Sequence, residues 1–485
     1  QWGTRMSEPE RDFYNYCTTV VEPWEGSGVT CFADGYLVGA VLDRHGTRSG
    51  RYWVTETGLV VFASETGVVD LDPSTITKKG RLAPGELIAV DTVVGNLLPS
   101  DAVRAQIASK HPYGQWLREN LTEIAAGDAF RLAEPHPSAE VDPAYHLTAA
   151  GAEAVRDLAA GRGLAPNRVA SRQLTFFDRF RSQRSQLTTP YIDAVAVPAP
   201  REVFLGPERN VLRDGPEHAR KVSLPGPVLA TGGLQILREH LQVHSITGVY
   251  PTGSSARTGM REALDNVRSD VDRAIDAGAQ VLLLSNRGAQ SGTSIAVPSL
   301  LLAATAHEHL LRTGNRGRVS LLAEAGDAVE PVHVLRLLAA GAEAVVPYHG
   351  EAIAGEEGAG TYLEELTAAV YSTLLESGVV EYRAYQGSRR FHIIGLEPEL
   401  VREVFRGAPQ ALGTLDLENL GEQLGRPHLT LDPVHQLLEP KAGEEIDLAA
   451  VESVEEILSR LVTRAPLEIT DNRAAVDLVS LATAE

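Results

Sequence analysis

The sequence predicts an α/β protein. A layer of short strands comes first, followed by a larger domain on a parallel sheet, open or closed like a barrel. Three observations carry this. First, WVTETGLVVFASETGVVDLDPSTITKKGRLAPGELIAVDTVVGNLL (53–98) has short alternating apolar segments broken at turns, the pattern of a half-buried sheet. Second, the apolar runs VLLLS (281–285), VSLLAEA (319–325) and AVVPY (344–348) alternate with SLLLAATAHEHLLRTG and PVHVLRLLAAG, which are helical in period and end in glycine. Third, 485 residues exceed one compact core and imply two to four domains.

The strand-rich layer is read over residues 1–127, with YGQWLREN (113–120) closing it as a helix. Inside it, LDRHGTRSGRY (42–52) has four charges, two glycines and no long apolar run, so it is neither an ordinary strand nor an ordinary helix. A proline-punctuated connector, DAFRLAEPHPSAEVDPAYH (128–146), leads into the helix LTAAGAEAVRDLAAGRG (147–163), and both fall in a linking segment read over residues 128–170. The α/β domain is assigned to residues 171–430. Within it, GEAIAGEEGAGTY (350–362) is glycine-rich and acidic and is expected to be a mobile loop. PTGSSARTG (251–259) lacks the lysine of a phosphate-binding GxxxxGK[ST] loop and reads as a plain loop. Residues 431–485 form an acidic segment of helical period, packed by its Val/Ile/Leu stripe or docked on a partner.

The formal net charge of −20 makes nucleic acid and anionic membrane poor partners. No apolar run approaches the roughly 20 residues of a membrane span. Cys17 and Cys31 are the two cysteines, too few for a disulfide framework or an iron–sulfur cluster, and both read as small buried hydrophobes. A reducing, cytoplasmic setting is the simplest expectation. His307 and His309 stand at i, i+2 on a helix, which puts them on different faces and does not suit a metal site.

Read in order, the motifs resemble the large subunit of glutamate synthase. FYNYCTTVVEPWEGSGVTCFADGYLVGAVLDRHGTRSGRYWVT is similar to the last part of the family's class-II glutamine amidotransferase domain. Asp43, Arg44, Gly46, Arg48, Arg51 and Tyr52 agree with its LDRNGLRPARY pattern, and His45, Thr47, Ser49 and Gly50 depart from it. FFDRFRSQRSQLTTPYID (176–193) resembles the opening of the family's central domain, and KAGEEIDLAAVESVEEILSRLVT resembles the lead-in to its synthase barrel. The resemblance implies part of an N-terminal-nucleophile glutaminase layer followed by a parallel, barrel-like central domain. In the family, a cysteine at the mature N-terminus attacks glutamine with its own α-amino group as base. A flavin- and iron–sulfur-bearing barrel then reduces 2-iminoglutarate. Residue 1 here is Gln1 and the chain stops at LATAE, so neither catalytic centre, and neither FMN nor an iron–sulfur cluster, is expected on these residues. The family's S-D-R is Ser285-Asn286-Arg287 here, and its K-M-G-I-S motif is absent, which suggests release from the catalytic constraint.

Ligands of parallel α/β domains sit at the C-terminal ends of strands. Asn286, Arg287, Glu324, Asp327, Tyr348 and His349 follow three such ends, so they are candidates for one pocket in which the arginine grips a carboxylate. The alternative is that they cap helices and satisfy backbone groups. No catalytic, cofactor or metal residue is assigned. Three roles follow: a glutamate synthase-like pseudoenzyme acting as a scaffold, regulator or assembly protein; a subunit of a split glutamate synthase; or a carboxylate-binding module. The expected partner is a second copy or another protein chain, glutamate synthase subunits included.

Overall fold

The computed structural model describes residues 6–22, 28–43, 46–133, 143–162, 175–182, 202–290, 292–376, 379 and 382–424. The chain divides into two compact units. The first comprises Gln1–Leu121, Leu187–Ile192 and Arg209–Arg220, and the second comprises the rest.

In the first unit, α1 (Glu8–Val20) starts at a capping box in which the Ser7 amide and hydroxyl both donate to Glu10, at 2.9 and 2.8 Å. One antiparallel sheet has the order β1-β2-β6-β7, from β1 (Val29–Ala33), β2 (Leu37–Leu42), β6 (Leu87–Asp91) and β7 (Asn96–Pro99). A second, β4-β3-β5, uses β3 (Arg51–Thr55), β4 (Val60–Ala63) and β5 (Ile76–Arg81). The LDRHGTRSGRY stretch is the connection between them. Leu42 ends β2, Arg51 begins β3, and the Asp43 carboxylate gathers the turn by accepting from Gly28 N, Thr47 N and the Thr47 hydroxyl. Gly46 has φ +64, open to glycine at no steric cost. Side chains of both sheets meet in one small cluster around Ala40, Leu42, Leu82 and Ile88. Helices α2 (Ser100–Ala108) and α3 (Tyr113–Asn120) follow, and the Tyr16 hydroxyl pins the 209–220 segment by bonding both the carbonyl and the amide of Gly215.

The second unit opens with β8 (Thr122–Glu123), α4 (Ala126–Ala129), α5 (Ala149–Ala159), β9 (Phe180–Ser182), β10 (Val203–Leu205) and β11 (Val222–Leu224). Then come α6 (Thr231–His240), β12 (Val243–Thr247), β13 (Val249–Pro251), α7 (Ala256–Asp276), β14 (Val281–Ser285), β15 (Ser294–Ala296) and α8 (Ser299–Arg312). They are followed by β16 (Ser320–Glu324), α9 (Pro331–Ala339), β17 (Ala344–Val346) and α10 (Tyr348–Glu376). The unit closes with α11 (Tyr382–Tyr385), β18 (Phe391–Leu396), α12 (Pro398–Val404), β19 (Gln410–Leu415) and α13 (Leu417–Leu424).

Its centre is a four-stranded parallel sheet, β12-β14-β16-β17, beyond which Val228 bridges Val345 in parallel. All residues of β14, β16 and β17 are buried, as a parallel sheet covered on both faces requires. The unit also contains the smaller sheets β10-β11-β8, β13-β15 and β19-β18-β9. The mixed α/β class with a parallel sheet is therefore as the sequence predicts, and the strands do not close into a barrel among the described residues. Helix α7 buries Met260, Ala263, Leu264, Val267, Val271 and Ile275, one apolar stripe at helical spacing. Both α8 and α9 stop before left-handed glycines, Gly314 (φ +71) and Gly341 (φ +114). No helix among the described residues is long and apolar enough to cross a membrane.

Two expectations are corrected. The 350–362 stretch is not a loop but part of α10, with one non-helical residue, Gly355 (φ 73, ψ 169). Its alanines and glutamates are good helix formers, and Ala359, Tyr362 and Leu363 are fully buried. The second half of PTGSSARTG is also helical, since α7 begins at Ala256 after a short 3₁₀ turn. The acidic segment 431–485 lies outside the described residues.

Candidate functional site

Strand register sets the site. Ser285 of β14 pairs with Glu324 of β16, and Glu324 pairs with Val346 of β17, so the residues after these strands leave the sheet at one edge. The six candidate residues all lie there.

Asn286 is fully buried at the centre. Its amide nitrogen donates to Asp327 Oδ1 at 2.9 Å, and its carbonyl oxygen accepts from Gly326 N at 2.9 Å and the Tyr348 hydroxyl at 3.0 Å. The other oxygen of Asp327 accepts from Ser299 N at 2.9 Å, fixing the start of α8. Arg287 Nε donates to Glu324 Oε1 at 2.9 Å, and the Ser285 hydroxyl donates to the second oxygen of Glu324. The Arg287 guanidinium also lies 3.9 Å from the centroid of the Tyr348 ring, a cation–π distance. Gly326 lies tight against Tyr348 and His349, since a Cβ there would fall 2.6 Å from the Tyr348 hydroxyl oxygen and 2.8 Å from His349 Nδ1 and would push those rings aside.

His349 joins through its ring, edge-on to Tyr145 at 4.4 Å and tilted against Tyr348 at 4.5 Å. Tyr145 donates its hydroxyl to Ala289 O at 2.9 Å and accepts from Gly288 N at 3.2 Å, so it clamps the loop after Arg287. One turn along α10, the buried Glu351 carboxyl accepts from the amide and the hydroxyl of Thr231, the first residue of α6.

Burial dominates the electrostatics. It raises the Asp327 carboxyl against the opposing Ser299 amide and Asn286 bonds, and it raises the Tyr348 phenol. Burial also pushes Glu351 up to about 7, against the lowering by its Thr231 bonds and the charge of Arg287. The six predicted residues are thus brought together, with Asn286 bonded to Asp327 and Tyr348, Arg287 to Glu324, and His349 packed by its ring against Tyr348. Ser285, Ser299, Thr231, Tyr145 and Glu351 complete the network, and sequence reading missed them. Ser285 is the last letter of an apolar strand, Tyr145 sits in a connector, and Glu351 sits in a stretch read as a loop.

The cysteines do not form a site. Burial raises the Cys17 thiol to about 11, whereas Cys31 is exposed on β1 and is not the buried hydrophobe the sequence suggested. Two thiolates are fewer than the three or four an iron–sulfur cluster takes from its protein, so this chain's cysteines do not fit one by themselves. No group of three or more metal-ligating side chains stands together among the described residues. His307 accepts from Arg316 Nε at 3.0 Å while His309 reaches Asp272 at 2.8 Å, in keeping with different faces. In the first unit a cavity of about 320 Å³ is lined by Leu42, Gly46, Arg81, Leu82, Ala83 and Pro84, none of them a predicted site residue.

Fold and sequence together define an amidotransferase-type segment joined to a parallel α/β domain. Residues 1–116 match the class-II glutamine amidotransferases, and residues 144–397 match the glutamate synthase central domain, which spans more than half the chain. The chain belongs to the glutamate synthase large-subunit family. It is 28% identical over 471 residues to the large chain of NADPH glutamate synthase of Bacillus subtilis, covering 90% of this chain and 30% of that protein. It is 30% identical over 453 residues to ferredoxin-dependent glutamate synthase 2 of Arabidopsis thaliana chloroplasts, covering 85% of this chain and 28% of that protein. The chain therefore spans less than a third of the length of these relatives.

Proposed function

We propose that this chain is the structural centre of a glutamate synthase-type assembly and performs no amide or redox chemistry with its described side chains. It serves glutamate biosynthesis by holding other chains or segments in register, with the first unit as part of a glutaminase-like layer and the second as a barrel-like scaffold. The observation that carries this is the closed network at the sheet edge. Glu324 faces Arg287 and Ser285, while Asn286 engages Asp327, Gly326 and Tyr348. Glu324 already holds the Nε of Arg287, so a carboxylate ligand on that side of the guanidinium would compete with an ion pair in place. Such a network fixes the loops that follow three strands, which is what a scaffold needs. The raised thiol of Cys17 supports the same reading, because a thiolate is the nucleophile in amide attack.

The test supplies the purified chain with glutamine, 2-oxoglutarate and a reductant, and follows ammonia and glutamate. The reading predicts rates equal to those without protein, and no thermal stabilisation by millimolar glutamine, glutamate or 2-oxoglutarate. Turnover would overturn it. A clear rise in melting temperature with one of these carboxylates would instead favour a binding module built on Arg287.

A further inference from the structure

The sheet β4-β3-β5 of the first unit has one covered face and one open face. Tyr52 of β3 and Phe62 of β4 pack on the small apolar cluster. Tyr52 also covers Gly80 of β5, where a Cβ would lie 2.5 Å from the ring. Side chains alternate along a strand, so Arg51, Trp53, Lys79 and Arg81 stand on the opposite face. Register sets them in two cross-strand pairs, Arg51 opposite Arg81 and Trp53 opposite Lys79. The three cations are exposed and Trp53 is half-buried. In a chain of net charge −20, none of the three meets a carboxylate at ion-pair distance among the described residues.

Strand β5 is also an edge, paired only with β3 among the described residues. Leu82 N donates to Gly50 O at 2.9 Å. Hydrogen bonding alternates along an antiparallel ladder, so Gly80, like Leu82, turns its backbone groups to β3, while Lys79 and Arg81 turn theirs to the open edge. These two residues thus offer backbone groups sideways and cations on one face. Lysine on an edge strand commonly repels stray strands. That role does not account for Arg51, which is on the central strand and faces Arg81, a like-charge pairing that costs stability. A carboxylate close to both guanidinium groups would relieve it.

We propose that β5 is the docking edge for an extended acidic segment of a partner protein. The segment adds as a strand beside β5 and exchanges backbone hydrogen bonds with Lys79 and Arg81. Its carboxylates, at every second position, face those two cations, with Arg51 behind them on the next strand. An open strand edge takes a peptide backbone and not a polynucleotide, and the net charge of −20 repels a polyanion, so the partner is a protein. The inference does not rest on the structural role proposed above, since binding alone reads it.

Fluorescence anisotropy with the purified full chain tests it. The probe is a labelled heptapeptide of alternating glutamate and valine. The controls are a heptapeptide of the same composition with its glutamates in one block, and a single-stranded DNA heptamer. The proposal predicts saturable binding of the alternating peptide, weakened by salt and weakened about tenfold in the double variant Lys79→Glu, Arg81→Glu. Arg51→Gln, which leaves the edge strand intact, should weaken binding about threefold, an effect that edge protection alone does not predict. In hydrogen exchange, the bound peptide should slow the amides of residues 76–82. No saturable binding at millimolar peptide, equal affinity for the block peptide or the DNA, wild-type binding by either variant, or unchanged exchange at 76–82 would each overturn the proposal. So would self-association in sedimentation that the charge reversal abolishes, because the edge would then belong to a second copy.

Discussion

Arg287 and Tyr348 meet face-on, the guanidinium carbon 3.9 Å from the ring centroid, although 61 positions of sequence separate them. The contact ties the end of β14 to the start of α10, and Glu324 holds the same guanidinium from β16 at 2.9 Å. Three consecutive strands of the parallel sheet are thereby locked at one edge. Arg287 is 37% exposed in its side chain, so the ion pair itself adds little. The buried hydrogen bonds beneath it matter more.

Asn286 is the keystone of those bonds. Replacing it with alanine leaves Asp327, Gly326 N and the Tyr348 hydroxyl each short of a buried partner. A loss of about 3 kcal/mol is expected in urea unfolding. Asn286→Asp, which restores the residue typical of the family, sets a carboxylate where an amide donates to Asp327. That variant should lose about 1–3 kcal/mol at pH 8 and recover much of it in acid, as one carboxyl of the pair takes a proton. Equal stability of the Asp variant and the parent at both pH values would contradict this geometry.

Glycine at 341 is demanded twice. Its φ of +114 disfavours any side chain, and a Cβ would lie 2.3 Å from His307 Nδ1. Gly341→Ala should cost at least about 2 kcal/mol. Gly95→Ala, at φ +77 with nothing within 4 Å of a Cβ, should cost about 1 kcal/mol. Paired thermal melts separate the two causes.

The two thiols should label at different rates. At pH 8 only about one Cys17 in a thousand is ionised, because burial holds its thiol near 11. Alkylation followed by mass spectrometry should find Cys31, exposed on β1, modified roughly a hundredfold sooner. Fast alkylation at Cys17 would undermine the case against cysteine chemistry on this chain.

His307 makes the protein acid-sensitive. Burial, then the charges of Arg316 and Arg389, lower it from 6.5 to about 3, so it is neutral in the fold, with Nδ1 accepting from Arg316. A lowered histidine contributes stability that is complete above pH 6.5 and declines as pH falls toward 3. His146, lowered to about 4 by burial, acts in the same direction. Glu351 acts in the opposite one, since its buried ionisation removes stability as pH rises from 4.5 to 7. The stability difference between wild type and His307→Gln, followed from pH 7 to 4, should therefore narrow as the pH falls; a constant difference would contradict a neutral buried imidazole.

Much of the second unit was legible because its signals are local. VLLLS, VSLLAEA and AVVPY are continuous apolar runs bounded by turn residues, and the helices between them carry their stop signals in sequence, as Gly314 and Gly341 show. Clustering of the six candidate residues followed from parallel register alone. What sequence could not reveal was where the polar groups point. Asn286 could have faced a ligand, and only the register of Asp327, Gly326 and Tyr348 shows it turned inward. The helix at 351–362 was hidden because three glycines argue for a loop, while the burial of Ala359 and Tyr362 that overrides them is tertiary. Cys31 looked like a core residue because β1 reads VTCFA, yet only β2 pairs with that strand among the described residues, and the thiol is left exposed.

The most direct measurement of the structural role is the mass and composition of the native complex that holds this chain in its own cells. The account predicts a fixed-stoichiometry particle that also contains glutaminase and flavin-bearing synthase polypeptide and that loses glutamine-dependent glutamate formation when this chain is depleted. A chain recovered alone or only with copies of itself, with glutamate formation undisturbed by its depletion, would contradict it.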